Sequence, residues 1–222
     1  AAPDASIDVG LPGRGYRLSG LKHFGSGSGV ADLMVTTAVP EGEDAPALFV
    51  LDTRDRSWDG SSGMRLVAEW DGVGMAATQS HAMELDGAPA IRAAYDGPLD
   101  DLSLAAAPLI SCLFTSVVLG VVDEAIATAK GSLGPRAAEL RAFEQVEWTR
   151  AETEHWLMEQ AYEGALRAVE AGDHPVALHA ALRAKQAGAE LAEDCLRRTA
   201  RVLGGGTFSQ RSPFAHWFED VR

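Results

Sequence analysis

Cysteine is scarce in this chain: Cys112 and Cys195 are the only two among 222 residues. Both fall in stretches that read as helices and form neither a disulfide framework nor a metal-ligand spacing, so both are expected as buried free thiols, as suits a cytoplasmic protein. Positive charge is scarce too. Nineteen Lys and Arg stand against 32 Asp and Glu, a formal net charge of -13, and no basic cluster gathers anywhere. Binding to a phosphate backbone needs concentrated positive charge, so nucleic acid is excluded as a partner. Any anionic ligand must find a local exception within this acidic field. The segment Ala1–Ser6 has neither the basic nor the apolar run of a signal peptide. The longest apolar run, Leu104 to Val122, is interrupted by Pro108, Ser111, Thr115, Ser116 and Gly120, and Asp123 and Glu124 follow it. It reads as a buried helix of a soluble protein rather than a membrane span.

What is present is globular: 46% hydrophobic and 23% charged residues. The two ends of the chain follow different grammar. Residues 1–97 are rich in Gly, Pro, Asp and Ser, with short apolar stretches between turn signals: Tyr16–Leu18, Leu33–Val39, Leu48–Leu51, Met64–Trp70 and Ala82–Leu85. That spacing predicts an antiparallel β-sandwich or barrel. Residues 98–222 read as long helices over Leu102–Lys130, Arg136–Ala171 and Ala177–Leu203. The breaks fall at Gly131–Pro135, Gly172–Pro175 and Gly204–Gly206, and a last short helix spans Phe214–Asp220. A run of strands followed by a run of helices is an α+β arrangement: a β-domain, then an antiparallel helical bundle.

The stretch from Gly20 to Gly29 reads Gly-Leu-Lys-His-Phe-Gly-Ser-Gly-Ser-Gly, a strand running into a glycine-rich loop. It is not a dinucleotide fingerprint: Val30 occupies the third glycine position and no helix pattern follows. It also lacks the Lys-Ser/Thr ending of a P-loop. On the residues alone, a flexible hairpin loop and a binding loop both stand.

Three segments together carry a resemblance. The first is Gly15–Ser26, followed by Ala31-Asp32-Leu33-Met34-Val35. The second is Trp70–His81, leading to Leu85-Asp86-Gly87. The third is Val202–Phe208, leading to Phe218–Arg222. In this order, straddling the strand-to-helix switch, they resemble the middle β-domain and C-terminal helical domain of acyl-CoA dehydrogenases. The resemblance covers essentially the whole chain and implies that the family's helical N-terminal domain is missing from it. It also implies FAD as cofactor, a homo-oligomer (dimer or tetramer), and oxidation of the Cα–Cβ bond of an acyl-CoA thioester. By position, Phe24 stands where the family has its flavin-facing Trp. Ser26 stands where a hydroxyl meets the flavin N5/O4 edge, and Gly25 lies between them. Gly204 and Gly205 match glycines that approach the diphosphate arm of the flavin from a neighbouring subunit, with Arg201 in place of the preceding Gln.

Departures accompany the matches. The family's Arg-x-x-Phe-Gly for the diphosphate is Lys130-Gly131-Ser132-Leu133-Gly134 here, the middle-domain Arg is Ala76, and the terminal Arg of Arg-Asp is Glu219 or a neighbour. The family's base, a Glu in a segment after Arg-Asp, has no counterpart before Arg222, so no catalytic residue is assigned. Asp123 and Glu124 read as the polar end of a helix. His155, Trp156 and Met158 read as packing or partner contacts. His174 and His179 have no carboxylate companion at ligand spacing, and no metal is expected. Two rival readings remain: a flavin-dependent monooxygenase on the same fold, which needs no such Glu, and a non-catalytic homologue that assists assembly.

Overall fold

The computed structural model describes every residue except Asp8, Val9 and Asp96. The chain divides into two compact units, Ala1–Leu102 and Ser103–Arg222.

The first unit is one six-stranded antiparallel sheet: β1 (Ala2–Pro3), β2 (Gly15–Gly25), β3 (Leu33–Ala38), β4 (Ala47–Asp52), β5 (Met64–Ala68) and β6 (His81–Arg92). The order is β1-β2-β6-β4-β3, with β5 also paired to β6. β6 is the organising strand. One of its edges is taken by β2 along almost its whole length; β5 and β4 pair with its N-terminal and C-terminal stretches. Register shifts in β2, between Leu18 and Gly20 and between Lys22 and Gly25, mark bulges, which bend and twist a sheet. Alternation then follows from the pleat: along β4, Ala47, Phe49 and Leu51 point into the core while their neighbours remain partly exposed. Tyr16, Leu18, Met64, Met83 and Leu85 complete that core, with the Tyr16 and Phe49 rings packed edge to face at 5.1 Å. β2 and β6 run longer than their apolar stretches suggest, because backbone pairing between them resumes at Gly20 beyond the bulge, where the side-chain pattern is silent.

The second unit holds α1 (Leu99–Leu133, which begins within the first unit), α2 (Ala142–Glu170), α3 (His174–Leu203) and α4 (Phe214–Asp220). The α+β order expected from sequence is the one observed. α1 with the turn after it, Leu99–Glu139, is long and apolar enough to cross a membrane by length and composition alone, a property shared by core helices of soluble proteins. Its Leu119, Val122, Ala125, Ile126 and Ala129 pack into a core with Ala151 and Met158 of α2, Cys195 and Leu196 of α3, and Phe214 of α4. α2 and α3 meet through small residues, among them Ala165, Ala181, Ala184 and Ala192, which let two helices approach closely.

Helix boundaries differ from the sequence reading in all three long helices; α1 runs three residues further at each end than Leu102–Lys130 and continues through Gly131, and the starts of α2 and α3 move. The segment expected to open α2 at Arg136 is a 3-10 turn, Gly134–Glu139, and α2 begins after Arg141. The cause is a reciprocal cap: the Glu144 carboxylate accepts the Arg141 backbone N–H at 2.8 Å and its guanidinium at 2.7 Å. α3 begins at His174 because Asp173 caps it and Pro175 sits in its first turn, where a missing N–H costs nothing.

Candidate functional site

The sequence-predicted residues fall into two groups, one in each unit. In the first unit, β2 loses register with β6 just before Gly25, and Phe24 there adopts a left-handed backbone, φ 54°. That conformation is costly for an aromatic residue and is found where surrounding structure over-determines it. Its ring stands 70% exposed and packs edge to face against Trp70, with centroids 6.1 Å apart. Among the described residues, four non-glycine positions have such backbone: Phe24, Asp55, Met75 and Gln79. Three of the four gather here, because Gly27 N–H donates to the Thr78 carbonyl at 2.7 Å, tying the turn after β2 to the Met75–Gln79 turn.

Ser26 joins a run of hydroxyls. Its Oγ lies 2.9 Å from Ser80 Oγ, which lies 2.8 Å from Thr78 Oγ1; that hydroxyl donates to the Met75 carbonyl at 2.7 Å. His81 sits beside Ser80 in sequence but turns elsewhere, its Nδ1 accepting the Trp70 backbone N–H at 2.8 Å. The Trp70 indole Nε1 is buried without a hydrogen-bond partner among the described residues. Gly25 has a different role from its neighbours. A Cβ there would stand 2.7 Å from Met83 Cε and 2.9 Å from Ser28 Oγ, so the interior of the sheet itself excludes a side chain.

In the second unit, α3 ends at Gly204 (φ 87°), whose N–H donates to the Ala200 carbonyl, and a 3-10 turn runs over Gly205–Phe208. Arg201 is exposed and lies 3.7 Å from Glu147. Its neighbour Arg198 is far more enclosed, held between Glu154 at 2.6 Å and Glu147 at 3.2 Å. Burial pushes the Glu154 carboxyl above its ordinary value even with Arg198 opposing the shift. Beside the glycine turn is a pocket of about 260 Å³, whose lining includes Thr128, Ser132, Arg136, Gly206, Thr207 and Ser212. Arg136 was not singled out in the sequence. Its guanidinium donates to the Glu144 carboxylate at 3.3 Å and to the Val202 carbonyl at 3.4 Å, which brings it to the end of α3. Lys130, the residue standing in for the family's arginine, pairs instead with Glu152 of α2 at 3.2 Å. The available signal was position: Arg136 follows the Gly134-Pro135 break by one residue and is the first cation after it.

Phe24, Gly25 and Ser26 are therefore brought together with Trp70, Thr78 and Ser80; Arg136 meets the end of α3 at Val202, whereas Arg201 turns to Glu147 and, like Gly204 and Gly205, does not line the pocket. No protein-family profile matches the chain, and no curated protein matches it in sequence. Solved structures do. KijD3 in complex with FMN and dTDP-3-amino-2,3,6-trideoxy-4-keto-3-methyl-D-glucose matches with a TM-score of 0.75 and 25% identity, over 93% of this chain and 54% of that one. The nitrososynthase from Micromonospora carbonacea var. africana matches with a TM-score of 0.75 and 22% identity, over 100% and 61%. The dibenzothiophene monooxygenase TdsC from Paenibacillus sp. A11-2 matches with a TM-score of 0.76 and 20% identity, over 96% and 61%. The chain thus spans a little over half the length of these proteins. The strand-then-helix resemblance holds in three dimensions: the chain has the fold of the β-domain and C-terminal helical domain of acyl-CoA dehydrogenase-type proteins.

Proposed function

We propose that this chain is part of a flavin-dependent monooxygenase acting on a small molecule. The observation that carries this reading is the end of β2, where the exposed Phe24, packed on the half-buried Trp70, borders a hydroxyl run, Ser26, Ser80 and Thr78. The residues suit a flavin. The exposed Phe24 face can pack against a planar ring, and Ser26 supplies a donor at its edge. At the end of α3, Arg136 with Thr128, Ser132, Thr207 and Ser212 suits a phosphate or diphosphate. Arg136 there also pairs with Glu144 at 3.3 Å, so an incoming phosphate would share the guanidinium with that carboxylate. A bound flavin would supply the two-electron chemistry; the chain's part is to hold and orient it and to shield it from water.

Acyl-CoA dehydrogenation needs a carboxylate to take the α-proton, whereas oxygenation needs none. The similar structures of a dibenzothiophene monooxygenase and a nitrososynthase support the same direction. They also support FMN as readily as FAD, since KijD3 and TdsC were each crystallised with FMN. A homo-oligomer, soluble in the cytoplasm, fits a cofactor whose phosphate end is held by a second copy.

The test is spectroscopic. The purified protein is mixed with FMN and with FAD, and the visible flavin bands are followed. Flavin uptake, no bleaching with acyl-CoA under anaerobic conditions, and oxygenated product from an aromatic substrate such as indole after reduction and admission of O2 are expected. Bleaching by acyl-CoA would return the dehydrogenase reading. Failure to take up either flavin would leave the non-catalytic one.

A further inference from the structure

Asp123 of α1 and His155 and Glu159 of α2 converge at one point. His155 Nε2 lies 2.5 Å from Asp123 Oδ1 and 3.9 Å from Glu159 Oε1, and the three donor atoms lie within 4.8 Å of one another. His155 and Glu159, four residues apart, share one helix face. Their backbones are fixed by packing: Val122 flanks Asp123, and Met158 lies between His155 and Glu159, both fully buried in the α1–α2–α3 core. The side-chain ends reach solvent, so an ion has access.

The charge at this point is uncompensated. Several carboxylates of the bundle are answered by arginine or lysine: Glu144 by Arg141, Glu147 and Glu154 by Arg198, Glu152 by Lys130, Asp194 by Arg197. Among the described residues, Asp123 and Glu159 have no ion pair with any Lys or Arg; each meets only His155. Two carboxylates this close disfavour each other, and one imidazole cannot neutralise both. A divalent cation can.

The donor set names its class. One imidazole nitrogen with two carboxylate oxygens suits zinc and its first-row neighbours, whereas magnesium and calcium take oxygen ligands alone. Bonds of about 2.0–2.2 Å to a tetrahedral centre place ligand atoms roughly 3.3 Å apart. The observed separations bracket that value, and half-exposed carboxylates can close the difference by rotating. We propose that Asp123, His155 and Glu159 bind a zinc-class divalent ion that clamps α1 to α2, with water completing its coordination. The site shares no residue with the β2 turn or the glycine pocket and is independent of the flavin reading.

The experiment is calorimetric titration of the tag-free full chain, stripped with chelator, with Zn2+ and separately with Mg2+. One Zn2+ per chain, no saturable Mg2+ binding and a rise in Tm with Zn2+ are expected. His155→Gln and Asp123→Asn should each weaken Zn2+ binding at least ~10–100-fold, the loss brought by removal of even an outer-shell partner. His174→Gln, whose ring Nε2 meets the Leu104 carbonyl, should leave it unchanged. Circular dichroism checks that each variant keeps its helices; Glu159→Gln, at a half-exposed position, serves if His155→Gln does not. No Zn2+ binding by the wild-type chain, binding indifferent to His155 and Asp123, or Mg2+ bound as tightly as Zn2+ would each overturn the proposal.

Discussion

The hydroxyl of Ser26 lies 2.9 Å from the hydroxyl of Ser80, two residues 54 positions apart in the chain. One comes from the turn that closes β2, the other from the turn that opens β6. Because Ser80 also meets Thr78, the direction of the Ser26 proton is not fixed by Ser26 alone. Removing Ser80 frees the Ser26 proton to donate outward, whereas removing Ser26 deletes the donor. Ser26→Ala should therefore weaken flavin binding by about 0.5–1.5 kcal/mol, the worth of one hydrogen bond, and shift the visible flavin bands. Ser80→Ala should leave affinity within about 0.5 kcal/mol. Equal losses in the two variants, measured by flavin titration, would count against Ser26 as the contacting hydroxyl.

The cation at the glycine turn is Arg136 by geometry. Arg136→Ala should lower flavin affinity by roughly ten- to a hundredfold, the range for a hydrogen bond to a charged group. Lys130→Ala, whose ammonium is turned to Glu152, should change it little. The reverse ranking in a titration would restore the reading in which Lys130 replaces the family's arginine.

Gly25 is constrained by the sheet interior. Gly25→Ala would press a methyl group on Met83 Cε and on the buried Ser28 hydroxyl, and lies 3.3 Å from the His81 carbonyl, which cannot move away. A loss of about 1–3 kcal/mol in denaturant-induced unfolding is expected, as for overpacking a filled core. Unchanged stability together with lost flavin binding would instead make Gly25 a ligand-contacting position.

Glu144 links pH to stability. Hydrogen bonds from the Arg141 side chain and backbone hold its carboxyl at about 2, well below its ordinary 4.5. A depressed folded-state value contributes stability that is present above the unfolded value and lost as pH falls through the folded one. That contribution should decline between about pH 4.5 and pH 2. Glu144→Gln should remove it, flattening the stability curve across that window. An unchanged acid limb, followed by thermal unfolding as a function of pH, would show that the cap does not persist in solution.

Cys195 is shielded. Burial, followed by the nearby Glu154 charge, pushes its thiol up to about 12, and burial raises Cys112 as well. A thiolate is the reactive form. Neither cysteine should react with a thiol reagent until the chain unfolds; prompt labelling of the native protein would contradict the buried placement.

The sequence by itself determined the order of the architecture. Turn residues between short apolar stretches impose strands, and long Ala- and Leu-rich runs impose helices, since both depend on local spacing. The resemblance carried in Gly15–Ser26, Trp70–His81 and Val202–Phe208 pointed to the two loops proposed to meet a flavin. Tertiary structure decided everything set by long-range proximity. It turned Lys130 to Glu152, and Arg136 to Glu144 and the Val202 carbonyl, because the direction of a cation depends on which carboxylate packs opposite it. It joined Ser26 to Ser80 and gathered left-handed backbone at Phe24, Met75 and Gln79, because strain is stored where two distant turns hold each other. It also brought His155, which by sequence is one more residue on a helix, against Asp123 and Glu159. No periodicity in a single segment encodes that meeting: it arises from how α1 and α2 cross.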